Sequence, residues 1–136
     1  MPGQAPTRWR ARALTLQSVY YLVTGLWPVI HFPSFEAVTG PKTDDWLVHT
    51  VGVLAAAIGL SLGVAVVRAQ TQAEPVTTLA IASALAFAGI DLVYGLSGRI
   101  SPIYLVDAGV QFALVLVLSL TTRSAREPPV SPRMGN

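Results

Sequence analysis

Four long apolar runs follow one another along the 136-residue chain, and they constrain its fold more than any other feature. A helix needs ~20 apolar residues to cross the ~30 Å hydrocarbon core of a bilayer. Helices suit this environment because they satisfy their own backbone hydrogen bonds. Only 12% of the residues are charged, whereas about 25% is usual in a soluble domain. The sequence therefore predicts an all-α protein, a four-transmembrane-helix antiparallel bundle.

The apolar runs divide the chain into one membrane domain and two tails. The first run follows a basic stretch, as a signal peptide would, but it is long for a signal core and no small-x-small cleavage site follows it. We therefore expect a retained first helix. The basic segment 1–12 and the proline-containing segment 121–136 are expected to be disordered tails. The predicted transmembrane domain covers residues 13–120, with helices at about 13–32, 45–67, 74–97 and 102–120.

The segment between the first two helices is too apolar for a plain linker. Pro33 is expected to end the first helix, because proline has no N–H and disfavours helix in the residue before it. Ser34 is expected to cap a short turn that Gly40 and Pro41 then stop. Such a turn would lie at the membrane interface.

Positive charge is distributed unevenly along the chain. Of the nine Lys and Arg residues, seven lie in the two tails and in the link after the second helix. Only Lys42 and Arg99 lie on the other side. The positive-inside rule then predicts both termini in the cytoplasm of a multi-pass protein of the cell's inner membrane. The arginines form no continuous patch, so we expect no nucleic-acid binding.

Small residues recur at every fourth position on the second and third predicted helices. Small residues with this spacing let helix backbones approach closely in lipid. We therefore expect these two helices to form the tightest pair, and we expect Gly59→Leu to loosen the bundle. The two short links also predict antiparallel neighbours. The small residues are Ala55, Gly59 and Gly63 on one helix and Ala80, Ala84 and Ala88 on the other.

Ionisable residues inside the apolar runs mark where chemistry is expected. Charged groups in a bilayer are costly, so they usually face the bundle interior and form pairs or act in function. Counting residues along the predicted helices places four of these groups within roughly 10 Å of the outer surface. Residues that share a helix face with these groups are added to the set of candidates. The candidate ligand- or ion-binding residues are His31, Glu36, His49, Asp91, Tyr94, Asp107 and Gln111.

The first helix has one polar face. Its residues follow one another at spacings of three and four, which places them on one side of a helix. This face should point into the bundle rather than toward lipid. Its residues are Gln17, Tyr20, Thr24, Trp27 and His31.

Two interpretations of the polar residues stay open. They form a pocket open to the outside that binds a divalent metal, a proton or a polar head group, or they form interhelical hydrogen bonds and an Asp–Arg or Asp–His pair that fixes helix register. No metal is assigned, because no local ligand motif such as H-E-x-x-H occurs. No cofactor is expected, because no P-loop or dinucleotide fingerprint is present. The absence of cysteine excludes disulfides and thiol redox chemistry.

Three functions follow from these patterns. The first is a small membrane protein whose outer-facing polar pocket binds a small polar or amphipathic ligand, or conducts protons or ions. The second is a structural or accessory membrane subunit. The third is a membrane-embedded, isomerase-like enzyme with a His/Asp acid–base pair, although the sequence favours a protein without enzymatic activity. Expected partners are the lipid bilayer, a small ligand or another membrane protein, and further copies of the chain.

The segment 27–48, WPVIHFPSFEAVTGPKTDDWLV, looks like a stretch found in small bacterial integral membrane proteins of uncharacterised function. The residues that carry the resemblance are His31, Glu36, Lys42, Asp44 and Trp46. The four-helix plan also resembles DoxX-like membrane proteins, in architecture only. The resemblance implies a bacterial membrane protein and assigns no catalytic residue.

Overall fold

The computed structural model describes residues 4–126 of the chain, and the side chains of residues 7–122. The described residues form five α-helices and no strand. Four of the helices are long and apolar enough to cross a membrane. By length and composition the chain is thus a multi-pass membrane protein, as the sequence predicted. The helices are α1 Gln4–Ile30, α2 Phe32–Thr39, α3 Asp45–Val67, α4 Glu74–Leu96 and α5 Ile103–Arg126.

The predicted helix boundaries agree with the observed ones in the middle of the chain and differ from them at its ends. The bounds of α3 match the prediction, and α4 ends one residue earlier than predicted. Residues 4–12 and 121–126, which the sequence assigned to tails, belong to α1 and α5 in the structure. Residues 1–3 and 127–136 of the predicted tails lie outside the described residues.

Arg10 explains why α1 begins so early. Its side chain is only 1% exposed. The Nε atom donates to the Thr71 carbonyl oxygen at 2.5 Å, and Nη1 donates to Thr122 Oγ1 at 2.6 Å. Nη2 donates to Thr77 Oγ1. One side chain therefore joins the first turns of α1 to the link after α3, to α4 and to α5.

The short helix α2 confirms the predicted turn between the first two membrane helices. Its N-cap is His31 rather than Ser34, because His31 Nδ1 accepts a hydrogen bond from the Ser34 backbone N–H at 3.2 Å. The Ser34 hydroxyl instead accepts a hydrogen bond from Trp27 Nε1 at 2.8 Å. The helix ends at Gly40, whose φ of 85° is a conformation that favours glycine.

The closest helix pair is α1 with α3, not α3 with α4 as the small residues predicted. A Cβ atom built on Gly25 would lie 2.5 Å from the Gly52 carbonyl oxygen. Farther along, the Ser18 hydroxyl donates to the Gly59 carbonyl oxygen at 2.7 Å. Small residues of α1 therefore face those of α3, whereas α3 and α4 touch only sparsely.

The helix α4 packs mainly on α5. A Cβ atom built on Gly95 would lie 2.8 Å from Leu105 Cδ2, so this pair is also close. The molecule consequently contains two tight helix pairs, α1–α3 and α4–α5, which contact each other through α1 and α5. Between the pairs lies an apolar cluster of Ala13, Leu14, Leu62, Ala80 and Leu118.

Candidate functional site

A continuous set of polar side chains lies between the two helix pairs. Asp107 Oδ1 accepts a hydrogen bond from the Tyr20 hydroxyl and one from Gln111 Nε2 at 3.5 Å. Gln111 Oε1 in turn accepts from the Tyr21 hydroxyl at 2.8 Å, and the Tyr21 oxygen accepts from Gln17 Nε2 at 3.2 Å. These residues, together with Asp91, form what we call the core network. It connects α1 directly to α5.

Asp91 adds a second carboxyl group to the core network. Its side chain is 5% exposed, and its carboxyl group interacts electrostatically with that of Asp107. Ionised carboxyl groups only accept hydrogen bonds, so two of them can be bonded to each other only when one carries a proton. The Asp91 Oδ2 atom is buried and has no hydrogen-bond partner. Two neighbouring carboxyl groups in an apolar interior can share one proton.

Gln17 is the last residue of the core network when its hydrogen bonds are followed from Asp107. Its Nε2 atom donates both to the Tyr21 oxygen and to the Ala80 carbonyl oxygen, the latter at 2.8 Å. Its Oε1 atom is buried without a hydrogen-bond partner. Buried polar atoms are nearly always paired, so an exception needs an explanation. The described side chains contain two such atoms, Gln17 Oε1 and Asp91 Oδ2, and both belong to this network.

The structure brings together three of the seven residues predicted as a site, namely Asp91, Asp107 and Gln111. Their hydrogen-bond partners on α1 are Tyr20 and Tyr21. Tyr20 belongs to the polar face that the sequence predicted to point inward, and so does Gln17, which bonds Tyr21. On α1 the network reaches farther from the helix end than the predicted site residue His31, because Tyr20 is ten residues from the end of α1 at Ile30.

The other predicted site residues lie around α2. His49 Nδ1 is 2.7 Å from the Asp45 carbonyl oxygen, and its ring stacks on Phe32 with centroids 5.2 Å apart. Glu36 Oε1 accepts a hydrogen bond from the Lys42 backbone N–H at 2.9 Å. His31 caps α2, as described above. Within residues 7–122, no group of three or more His, Asp or Glu side chains is placed to hold a metal ion.

Tyr94 is 43% exposed and lies on the outside of α4. It shares its helix with Asp91, at a spacing that suggested a common face. The structure differs from this prediction because three residues advance a helix by only about 300°. Side chains at this spacing therefore point in directions about 60° apart. That rotation moves Tyr94 away from the core network, whereas Gln111, four residues from Asp107, stays in it.

Lys42 stabilises the C-terminal end of α2 through hydrogen bonds. Its Nζ atom donates to the Thr39 and Gly40 carbonyl oxygens at 2.8 and 3.0 Å. The ammonium group also lies over the Tyr104 ring, 5.2 Å from its centroid, which links α2 to α5. Burial lowers the pKa of Lys42, and the nearby Glu36 carboxylate partly opposes that change. These contacts give segment 27–48, which resembles part of small bacterial membrane proteins, a structural role: it covers this end of the bundle.

Tyr21 belongs to the core network but was not among the residues predicted from the sequence. Its side chain is 1% exposed and bonds two glutamines, so it is central to the network. The available signal was its spacing of four residues from Gln17, which places two hydrogen-bonding groups next to each other on one helix face.

No family model matches the chain, no curated protein matches it, and no solved structure matches it. The resemblance to small bacterial membrane proteins and the architectural likeness to DoxX-like proteins therefore stay predictions. The core network is the feature of the described residues from which a function can be inferred.

Proposed function

We propose that this protein takes up and releases a proton at the Asp91–Asp107 pair within a bilayer. The single observation that carries the proposal is the position of two neighbouring carboxyl groups, one of them 5% exposed, in the interior of an apolar bundle. A carboxyl group in a membrane is expensive, and such groups usually serve ion or proton pathways. Helix register alone would be fixed equally well by neutral amides, as Gln17 and Gln111 do elsewhere in the network.

A proton suits this site better than a larger ligand. Asp107 is bonded directly to Tyr20 and Gln111, so a polar molecule or metal ion would have to break these bonds to reach it. A proton can be transferred along existing hydrogen bonds without such a rearrangement. Of the predicted alternatives, a small ligand, a proton or an ion, we therefore propose the proton.

The chemistry assigns different tasks to the members of the network. Carboxyl and phenol groups both donate and accept hydrogen bonds, so Asp91, Asp107 and Tyr20 can exchange a proton among themselves. The amides of Gln111 and Gln17 hold Tyr21 and Asp107 in place and are poor proton carriers. The route of exchange is thus Asp91 to Asp107 to the Tyr20 hydroxyl.

The proposal includes an antiparallel bundle with both termini in the cytoplasm of a bacterial inner membrane. Two observations support it. As α1 advances from Ser18 to Gly25, its contacts on α3 run backwards from Gly59 to Gly52. Seven of the nine basic residues also lie on the side assigned to the cytoplasm.

The isomerase-like alternative needs a histidine beside an aspartate. Both histidines instead make their hydrogen bonds within residues 31–49, with Ser34 and with Asp45. This arrangement favours proton binding by the carboxyl pair without a histidine base.

The test is infrared difference spectroscopy of the protein in lipid vesicles as pH is changed. A protonated carboxyl group has its own C=O absorption, which Asp91→Asn and Asp107→Asn should remove or shift. Asp44→Asn is the matched control, because Asp44 is exposed and lies outside the apolar helices. A pH-dependent carboxyl signal that is the same in all four proteins would overturn the proposal.

A further inference from the structure

The two carboxyl groups of the core network lie near one end of the bundle and far from the other. Asp107 is four residues from the start of α5 at Ile103, and Asp91 is five residues from the end of α4 at Leu96. At ~1.5 Å per residue these separations are about 6 and 8 Å. Toward the other end, the start of α4 at Glu74 is about 26 Å from Asp91. The near end is the one that α2 covers.

An apolar layer lies between the core network and the far end. On α1, Leu14 lies between Arg10 and Gln17 of the network, and on α5, Leu118 lies between Thr122 and the network. The leucines of this layer are fully buried, and none of its side chains donates or accepts a hydrogen bond. A proton would have to cross this layer to reach the far end. The layer consists of Ala13, Leu14, Leu62, Ala80 and Leu118.

Tyr104 lies on the shorter route, toward α2. It precedes Asp107 by three residues on α5, which is close to one helical turn. Its phenol group interacts electrostatically with both Asp91 and Asp107 and also interacts with Thr39 of α2. A phenol hydroxyl both donates and accepts hydrogen bonds. Tyr104 is therefore placed to relay a proton between the carboxyl pair and the α2 end.

The residues that follow α2 hold the Tyr104 ring in position. Lys42 Nζ lies 5.2 Å from the ring centroid and donates to the Thr39 and Gly40 carbonyl oxygens. A Cβ atom built on Gly40 would lie 3.8 Å from Ser101 Cβ, so the backbone after α2 reaches the beginning of α5. The half-buried Tyr104 thus lies between the carboxyl pair and the largely exposed link from α2 to α3.

The other titratable groups around the pair do not lead toward the far end. Tyr20 and Tyr21 of α1 interact electrostatically with both carboxyl groups, and both make their hydrogen bonds within the core network. Residues 50–67 of α3 include no titratable side chain. Glu36 of α2 accepts a hydrogen bond from the Lys42 backbone N–H, so both charges belong to the same end as Tyr104.

We propose that the Asp91–Asp107 pair exchanges its proton with water only at the end of the bundle that α2 covers, through the Tyr104 hydroxyl. On release, the Asp107 carboxyl gives its proton to the phenol oxygen while the phenol proton passes to water, so the phenol is restored. The inference rests on the proposed proton uptake and adds the side from which it occurs. A pair open to one side follows the pH of that side and carries no proton across the membrane.

The first test measures the side of exchange in lipid vesicles with an unequal share of the two protein orientations. The pH outside is stepped, an entrapped dye reports the interior pH, and the infrared C=O band of the protonated carboxyl group is followed in time. In separate samples, an impermeant maleimide labels Thr43→Cys, before α3, or Gln70→Cys, after it, and so measures each orientation.

The prompt part of the band change should equal the fraction of Thr43→Cys that is labelled from outside, and the remainder should follow the dye. A prompt part equal to the labelled fraction of Gln70→Cys, or a prompt response of all molecules, would overturn the proposal. This measurement needs no change in the core network or at Tyr104.

Tyr104→Phe then tests the relay. The variant keeps the ring over which Lys42 lies and removes only the hydroxyl. Prompt exchange should slow by roughly 10²-fold, the lower limit typical of a positioned proton-transfer group, while the size of the band at equilibrium stays the same. Tyr94→Phe is the matched control, because Tyr94 is also three residues from an aspartate of the pair but is 43% exposed. Equal exchange rates in wild type and Tyr104→Phe would contradict the route.

The equilibrium band separates this inference from the proposed function. If no pH-dependent carboxyl band is lost in Asp91→Asn and Asp107→Asn, the proposed function fails and this inference fails with it. A normal band whose proton exchanges at the other end overturns this inference alone. Circular dichroism of Tyr104→Phe establishes that its helices are intact, and the wild-type side of exchange decides the proposal if they are not.

Discussion

Asp91 and Asp107 have different surroundings, although both lie in the core network. Asp107 accepts hydrogen bonds from Tyr20 and Gln111, while Asp91 Oδ2 has no partner. Asp107 therefore supports its neighbours, and Asp91 depends on Asp107. Asp107 therefore contributes more directly to the structure than Asp91 does.

The stability of single variants should reflect this difference. Asp91→Asn should leave the free energy of unfolding unchanged or raise it, because the new amide can donate to Asp107 in every protonation state. Asp107→Ala should lower it by about 1–3 kcal/mol, because the Tyr20 hydroxyl and the Gln111 amide lose their acceptor. Unfolding in detergent, followed by circular dichroism, measures both. A larger loss for Asp91→Asn than for Asp107→Ala would make Asp91 the structural partner.

The sequence identified Asp91, Asp107 and Gln111 because a polar residue in an apolar run is visible without knowledge of the fold. Arg10 was not identified, because a buried arginine and an exposed one look the same beside other basic residues. What distinguishes Arg10 is its contacts with Thr71, Thr77 and Thr122, which are 61 or more residues away. Only the fold brings such residues together.

At the scale of elements, the contact between α1 and α3 depends on the near absence of side chains. A Cβ atom on Gly59 would lie 2.8 Å from the Ser18 carbonyl oxygen and 3.0 Å from the Leu22 nitrogen. Both are backbone atoms, which cannot move without shifting the helix. The effect predicted for Gly59→Leu thus has a physical reason, although the affected helix is α1 rather than α4.

Gly59→Ala should lower the free energy of unfolding by about 1–3 kcal/mol, which is typical of overpacking. Gly89→Ala is the matched control, because no atom lies within 4 Å of the added Cβ. This control should raise stability by about 0.5–1 kcal/mol, since alanine is the better helix former. Thermal unfolding of both variants in the same detergent makes the comparison. Equal effects at the two positions would contradict the close contact.

The pattern of small residues predicted a close approach correctly but gave the wrong partner. Spacing along one helix shows that a neighbour can come near, and it says nothing about which helix that neighbour is. The face on α1 was less visible, because Ser18 and Gly25 are seven residues apart with larger residues between them. The bounds of α3 were easier to predict, because Asp44 and Arg68 are its cap residues and are recognisable in the sequence without knowledge of the fold.

At the scale of the whole molecule, Arg10 and the core network join the two helix pairs. Arg10→Leu should leave α1–α3 packing in place and release the first turns of α1, because its bonds to α4 and α5 are lost. Hydrogen exchange should then accelerate in residues 4–12 relative to the wild type. Arg12→Leu is the control, because Arg12 is exposed beside Trp9. Unchanged protection of residues 4–12 in Arg10→Leu would contradict this role.

The proposed orientation can be tested without background, because the sequence contains no cysteine. Thr43→Cys and Gln70→Cys place single thiols at exposed positions in the links before and after α3. In intact cells, an impermeant maleimide should label Thr43→Cys and should label Gln70→Cys only after lysis. Labelling of both or only the second in intact cells would contradict the orientation.

The reach of Arg10 has a consequence for synthesis of the protein. Its partner Thr122 follows it by 112 residues and belongs to the last of the five helices. A ribosome must therefore deliver nearly every helix before the first one can finish folding at its beginning. Until then the Arg10 guanidinium lacks the acceptor that α5 supplies. The first turns of α1 thus acquire their full set of contacts only after the last helix has been made.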